Sequence, residues 1–113
     1  ISQQNPSIIS GIKDEKLEII DENDIIGVFA QDGKVYADTK NGIYELKLRL
    51  YELENILDKT KFVRISKSEI INLKAVKNFD LSFTGTISVE MKNGKISYVS
   101  RRFVSKIKKI LGV

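Results

Sequence analysis

The 113-residue sequence contains no cysteine and no histidine. The lack of cysteine excludes disulfides, thiolate zinc sites and cysteine nucleophiles, and it is typical of a protein of a reducing cytoplasm. The lack of histidine removes the most common general base and the most common metal ligand. An enzyme is therefore the least favoured class of protein, and the sequence predicts neither a metal site nor a cofactor.

Long hydrophobic runs are also lacking, and proline occurs once. The longest apolar runs hold only a few residues, so no membrane insertion is expected in this segment. Residues 1–11 are polar, carry the single proline and are predicted to be a tail or linker remnant. Residues 12–113 show no repeat, low-complexity tract or internal linker, which predicts one domain of modest size.

The charge is divided unevenly along the chain. Residues 1–58 contain 6 Lys and Arg against 12 Asp and Glu, whereas residues 59–113 contain 13 against 3. The net charges of the two halves are therefore −6 and +10, which together give the +4 of the whole chain. A basic half of this size indicates a polyanionic partner, and nucleic acid is favoured over an anionic membrane surface.

Short segments of alternating polarity follow one another with turn residues between them. Asp32-Gly33, Asn41-Gly42 and Asn93-Gly94 are typical of tight hairpin turns. The strands predicted around these turns and farther along the chain cover residues 16–20, 25–31, 34–38, 43–46, 62–66, 69–72, 75–79, 86–91 and 95–99.

The hydrophobic period changes to that of a helix in two places. Leu46, Leu50, Leu53 and Leu57 recur at spacings of four, three and four, which predicts a central helix of about three turns. After Ser100, a good N-cap residue, a second apolar stripe predicts a C-terminal helix. The fold class is therefore mainly β, a sandwich of short antiparallel strands with one central and one C-terminal helix.

A polar cluster follows the strand of residues 62–66. If Ile65 points inward, Arg64 and Ser66 project to the other face, and Lys67 and Ser68 stand where the strand ends. Lysine can donate to guanine O6 and N7, and serine can donate to phosphate or base, so these residues are candidates for DNA contact. An ordinary polar turn is an equally good interpretation of this cluster alone.

Two further places carry candidate basic residues. Arg101 and Arg102 begin the C-terminal helix, where cations oppose the helix dipole and a bound anion would relieve that cost. Surface ion pairing is the alternative, but few acids lie nearby in sequence. Lys34 follows the Asp32-Gly33 turn and either contacts the DNA backbone or is an ordinary lysine of an edge strand.

Other patterns indicate no site. The acids between residues 21 and 24 lack the spacing of a calcium loop, and the glycines match neither a P-loop nor a dinucleotide fingerprint. The tyrosines are scattered and are interpreted as partly buried packing residues, and the phenylalanines are assigned to the core or to hairpin contacts.

Three stretches of the sequence resemble a known family. The central one, FVRISKSEIINLKAVKNF (62–79), resembles a signature that runs through an aromatic, Arg, a hydrophobe, His or Ser, a polar residue, Ser, two hydrophobes and Asn. Downstream, VEMKNGKISYVSRRFVSKIKKIL (89–111) resembles a closing hairpin, a Ser-Arg-Arg element and a final helix. Upstream, ENDIIGVFAQDGKVYADTKNGIYELKLRLYELENIL (22–57) resembles the opening strands and first helix. Together they are similar to LytTR-type DNA-binding domains over residues 12–113.

The resemblance implies an elongated β-sandwich that inserts loops into DNA grooves. It places Lys67 at a base-reading position with Ser66 beside it, Arg102 at a second one with Arg101 adjacent, and Lys34 in a third DNA-facing loop. Ser66 departs from the histidine of many members. Glu69 brings a negative charge near the expected DNA face. Both departures leave the base preference open.

The resemblance also implies partners and a location. Members usually bind paired repeats of double-stranded DNA as two copies, and many carry an upstream receiver domain. We therefore expect a bacterial, cytoplasmic transcriptional regulator with a second copy on DNA. The domain either has a receiver or sensor as a further partner or is an isolated domain or stand-alone regulator that lacks a receiver. The alternatives are an RNA-binding β-rich module, which would need exposed aromatic residues, and a protein-interaction module with only non-specific DNA affinity.

Overall fold

The computed structural model describes residues 8–113. These residues form ten strands, two α-helices and two short 3-10 helices. The strands are β1 Ile9–Lys13, β2 Lys16–Ile20, β3 Ile25–Gln31, β4 Lys34–Thr39, β5 Gly42–Leu46, β6 Phe62–Ser66, β7 Glu69–Asn72, β8 Val76–Asp80, β9 Ile87–Met91 and β10 Ile96–Val99. The α-helices are α1 Leu50–Ile56 and α2 Arg101–Leu111, and the 3-10 helices are Glu22–Asp24 and Leu73–Ala75.

The strands form two antiparallel sheets. The large sheet has seven strands in the order β2-β1-β5-β4-β3-β7-β6, and the small sheet has three in the order β10-β9-β8. All of the strand pairs among the described residues are antiparallel. The prediction of a mainly β fold with one central and one C-terminal helix is confirmed.

The hairpin turns predicted from Asx-Gly pairs are present. Asp32 and Gly33 both have positive φ, at 52° and 79°, and they join β3 to β4 with Gln31 opposite Lys34. Positive φ at both central residues matches the right-handed twist of the flanking strands, and glycine adopts it without steric cost. The local turn chemistry therefore determines the β3–β4 register.

A further hairpin contradicts part of the predicted tail. Residues 1–7 lie outside the described residues, but β1 pairs with β2 along its whole length, and Ile9 is only 3% exposed in the core. The turn uses Asp14 and Glu15 at φ of 52° and 65°, without the glycine or asparagine that signals such a turn in sequence. The assignment of residues 9–11 to a tail was therefore wrong.

Helix α1 is shorter than predicted. It has seven residues, about two turns, and Leu46 belongs to β5. Leu46 nevertheless packs in the same core cluster as Leu50, Leu53 and Leu57. The leucine spacing therefore indicates that these side chains share one hydrophobic core. Leu46 enters that core from a strand, and the other leucines enter it from helix α1 and its C-terminal end.

Two hydrophobic clusters lie on opposite faces of the large sheet. The first joins the sheet to α1, and the second joins β6 and β7 to the small sheet and α2. Side chains alternate between faces along a strand, so Ile70 enters the first cluster and its neighbour Ile71 the second. Strands β6 and β7 are thus covered on both faces, with α1 on one and β10 and α2 on the other.

Gly11 of β1 provides a test of this packing. A Cβ at this position would lie 2.6 Å from Cβ of Tyr44 and 2.8 Å from Cδ1 of Ile20. Because close-packed strands cannot separate cheaply, we expect Gly11→Ala to lower the free energy of unfolding by about 1–3 kcal/mol. Urea denaturation of the wild type and the variant measures this.

Gly33→Ala, where no atom lies within 4 Å, separates the clash from the general effect of adding a methyl group, since it retains only the strain of positive φ. A smaller loss at Gly11 than at Gly33 would contradict the proposed packing.

Candidate nucleic-acid interface

One end of the large sheet collects segments that are distant in sequence. Phe29 of β3 pairs with Glu69 of β7, and Ser66 of β6 pairs with the same Glu69. The backbone N–H of Ala30 also donates to the carbonyl of Ser68 at 2.9 Å. The Asp32-Gly33 turn and the Lys67-Ser68 turn therefore lie side by side at this end.

Helix α2 begins at the same end. The backbone N–H of Ser100 donates to the carbonyl of Ile65 at 2.9 Å, which holds the first residues of α2 next to the turn after β6. We call the two turns and residues 100–102 the loop end. It brings together all three places at which the sequence predicted DNA contact.

The turn after β6 presents Lys67 at its tip. Lys67 and Ser68 are exposed, and Ser66 is half-buried. The Ser66 hydroxyl accepts from the backbone N–H of Ser68 at 3.2 Å, which closes the turn on itself. The pairing of β6 with β7 shifts register between Arg64 and Ser66. A bulge of this kind re-aims the residues that follow it, so Lys67 projects beyond the sheet.

Arg64 does not project into solvent with these residues. Its guanidinium donates from Nη1 to Oε1 of Glu54 in α1 at 2.7 Å, from Nε to the carbonyl of Ser66 at 2.8 Å, and from Nη2 to the carbonyl of Lys67. Its side chain is only 16% exposed. The sequence interpretation assumed that the face opposite Ile65 meets solvent, but α1 covers that face. Arg64 therefore stabilises the turn after β6 through hydrogen bonds and does not extend from it into solvent.

Glu69 carries the negative charge that the sequence placed near the DNA face. Its carboxylate accepts from the Ser97 hydroxyl at 2.6 Å and lies 3.5 Å from the Lys95 ammonium, and its side chain is 17% exposed. Lys95 also lies 4.4 Å from the centroid of the Phe29 ring. The Glu69 carboxylate therefore points toward β10, and the Lys95 ammonium neutralises its charge. Sequence reasoning missed Lys95, because it reaches Glu69 only through the packing of the two sheets.

Arg101 and Arg102 are both exposed in the first turn of α2. That turn contains no acidic residue. The sequence predicted Ser100 as N-cap, and Ser100 occupies the position, but its hydroxyl makes no capping bond. Two cations and uncapped backbone N–H groups at the positive end of a helix dipole favour a bound anion. The site suits a phosphate or the acceptor edge of a base.

Lys34 stands at the start of β4 and is exposed. Its ammonium lies 3.9 Å from Glu45, a carboxylate that it shares with Lys47 at 3.8 Å. Exposed pairs at such distances contribute about 0–1 kcal/mol, so either lysine can exchange its partner for a phosphate at little cost. Sequence reasoning missed Lys47. It directly follows β5, and the pairing of Leu46 with Val35 brings it to the loop end.

Two other features of residues 8–113 bear on function. No cluster of three or more His, Cys, Asp or Glu side chains that could hold a metal ion occurs among them. None of their helices is long and apolar enough to cross a membrane.

The fold is that of a β-rich domain with basic side chains at one end of its large sheet. The sequence profile of the LytTr DNA-binding domain matches residues 15–112. The chain belongs to the LytTR DNA-binding domain family.

Relatives and a solved structure agree with this assignment. Over 103 residues the chain is 40% identical to an HTH-type transcriptional regulator of Staphylococcus aureus strain MRSA252, covering 91% of this chain and 69% of that protein. A homologue from the bovine strain RF122 is 39% identical over the same span. The structure of a LytTr DNA-binding domain from Bacillus cereus superposes with a TM-score of 0.91 at 25% identity, covering 96% of this chain and all of that one.

The helix-turn-helix in the names of these relatives does not describe the present chain. Within residues 8–113, five strands separate α1 from α2, so no pair of adjacent helices is available to enter a groove.

Proposed function

We propose that this domain binds double-stranded DNA sequence-specifically by inserting the loop end into DNA grooves, and that it acts as a transcriptional regulator in the bacterial cytoplasm. The observation that carries the proposal is the convergence of exposed Lys67 and Arg102 at one end of the sheet. Lysine and arginine are the side chains that most often read guanine in the major groove. A second copy on a paired repeat would double the contact surface.

The residues of the loop end take different roles in this proposal. Lys67 and Arg102 contact base edges. The groups that contact phosphates are Lys34, Arg101, Ser66 and Ser68, together with Lys47. Arg64 acts through the turn that it braces and does not contact DNA. Phosphate contacts release counterions, so affinity should fall with rising salt concentration.

Arg102→Ala tests the base-reading role. If Arg102 contacts a base with two donors, the variant should lose about 1–3 kcal/mol of specific binding and lose preference at one position of the site. Selection of bound duplexes from a random library supplies the site, and titration at two salt concentrations measures the loss. The matched control is Lys16→Ala, which removes one positive charge from the exposed strand β2 and should leave binding unchanged. Equal losses on specific and random duplexes would show a phosphate contact only.

The RNA-binding alternative gains one observation. The sequence interpretation treated the aromatic residues as buried, but Tyr98 and Phe83 are 71% and 74% exposed. Tyr98 shares its face of the small sheet with Glu90 and Asp80, as the pairings across β8, β9 and β10 show. Glu90 lies 3.8 Å from the Lys77 ammonium, so the two carboxylates and this ammonium together carry one net negative charge, which disfavours the phosphates of single-stranded RNA. Competition between the selected duplex and single-stranded RNA decides between the two functions. Stronger binding of RNA would favour the RNA-binding alternative over the proposed DNA binding.

The protein-interaction alternative rests on the acidic half of the chain. Leu17 and Ile19 are 71% and 76% exposed on the edge strand β2. Exposed apolar residues on an edge strand are typical of contact surfaces. If the library selection enriches no motif and modest salt abolishes all binding, this alternative becomes the better interpretation.

A further inference from the structure

A cavity of about 530 Å³ lies at the end of the large sheet opposite the loop end. It is lined by the start of β3, the end of β4, the 3-10 helix after β7 and the turn between β9 and β10. Strand β3, which has seven residues and is therefore about 20 Å long, separates it from the loop end. The cavity is therefore distinct from the proposed DNA interface.

The cavity walls carry three lysines from three different elements. Lys40 lies in the β4–β5 turn, Lys74 in the 3-10 helix and Lys92 in the β9–β10 turn. Asp24 is the single acidic residue among the lining residues. None of these lysines forms an ion pair with a carboxylate within residues 8–113. The lining residues thus carry three positive charges against one negative charge.

The floor of the cavity offers apolar contact rather than further donors. Ile26 and Ala75, both half-buried, supply its hydrocarbon surface, whereas Ile25 is only 1% exposed. The polar floor groups are already satisfied, since the Thr39 hydroxyl donates to the carbonyl of Gly42 at 2.7 Å and the Asn72 amide donates to the carbonyl of Ile25 at 2.8 Å. A ligand would therefore meet hydrocarbon below and positive charge at the rim.

Hydrogen bonds between the walls hold the cavity open before any ligand binds. The backbone N–H of Lys40 donates to the carbonyl of Asp24 at 3.0 Å, and that of Lys92 donates to the carbonyl of Ala75 at 2.8 Å. The Asn93 amide donates to the carboxylate of Asp38 at 3.2 Å. Preformed walls lower the entropic cost of binding.

We propose that this cavity binds a small organic anion, a carboxylate or phosphate carried on a compact apolar body. The three lysines would hold the anionic group, and the floor of Ile26 and Ala75 would hold the apolar body. The volume lies within the range of about 300–1,000 Å³ that is typical of small-molecule sites. The proposal does not depend on the proposed DNA function.

The test uses the ¹⁵N-labelled chain of residues 1–113 and three probes: phenyl phosphate, inorganic phosphate and phenol. Phenyl phosphate is expected to shift the backbone amide signals of Thr39, Asn72 and Lys92 saturably. Inorganic phosphate lacks the apolar body and phenol lacks the charge, so each should bind about tenfold more weakly or not at all. The amides of Lys67 and Arg102 should not move in parallel.

Two charge reversals localise the site. Lys74→Glu should weaken phenyl phosphate binding by about tenfold or more, because it replaces a charge-assisted donor with a repelling carboxylate. Lys16→Glu makes the same change of net charge on exposed strand β2 and should have no effect. The dispersion of the amide spectrum shows that both variants are folded.

Three outcomes would overturn the proposal. The first is the absence of saturable shifts for phenyl phosphate in the millimolar range. The second is equal binding to wild type and Lys74→Glu, or shifts centred on Arg101 and Arg102. The third is a Lys74→Glu variant that keeps phenyl phosphate binding but loses affinity for duplex DNA, which would make the lysines a second phosphate-contacting surface.

Discussion

Replacing Arg64 by alanine is expected to lower the free energy of unfolding by about 2–4 kcal/mol and also to weaken specific DNA binding, through the turn that its guanidinium holds and not through a DNA contact of its own. The guanidinium makes three internal hydrogen bonds, one to the Glu54 carboxylate and two to the carbonyls of Ser66 and Lys67. Its removal leaves the Glu54 carboxylate without its ion-pair partner and removes the two hydrogen bonds that hold the turn after β6. Urea denaturation and DNA titration of the folded variant measure the two effects.

A second pair of variants separates stability from positioning. Arg64→Lys keeps the charge near Glu54 but cannot reach all three acceptors, because an ammonium lacks the planar fork of a guanidinium. Glu54→Ala removes the ion pair but leaves both bonds to the turn. We expect Arg64→Lys to weaken specific binding by about tenfold, the effect of roughly 1.4 kcal/mol, and Glu54→Ala to retain nearly all of it. If the two variants lose DNA affinity in proportion to their stability, Arg64 has only a structural role.

Replacing Asn72 by leucine is expected to cost about 2–4 kcal/mol of folding free energy. Asn72 ends β7 and is 5% exposed. Its amide donates to the carbonyl of buried Ile25 at 2.8 Å, and its oxygen accepts from the backbone N–H of Lys74 at 2.9 Å. Leucine has a similar volume but leaves both backbone groups without their partner. Asn55→Leu, the same substitution at an exposed site on α1, should change stability by no more than about 0.5 kcal/mol.

Asn72→Asp gives the same site a dependence on pH. The introduced carboxyl can donate to the Ile25 carbonyl only when protonated, and ionised it faces a carbonyl oxygen in a buried place. Folding should therefore raise its pKa above the unfolded value of about 4. The bond is then fully present below the unfolded pKa and is lost as pH rises through the folded pKa. Urea denaturation of the variant and the wild type at several pH values checks this. A difference in unfolding free energy that favours the variant more at neutral pH than in acid would contradict the assigned bond.

Much of the architecture was predictable because it depends on neighbours in sequence. Hairpins at Asp32-Gly33 and Asn93-Gly94, the strands beside them and helix α2 follow from turn chemistry and hydrophobic period. The β1–β2 hairpin was not predictable, since its turn uses Asp14 and Glu15 in a conformation that these residues rarely adopt. Leu46 was counted both in the predicted strand 43–46 and in the helical stripe, because a leucine spacing cannot separate a strand from a helix when both bury side chains in one core.

The sequence alone determined the fold class, the family resemblance and the basic residues proposed to meet DNA. Only the tertiary structure decided which of those residues are available. It turned Arg64 inward under α1, paired Glu69 with Ser97 and Lys95, and brought Lys47 to the loop end. The physical reason is that propensities and turn signals act over a few residues, whereas the direction and partner of a polar side chain depend on which distant element covers its face of the sheet.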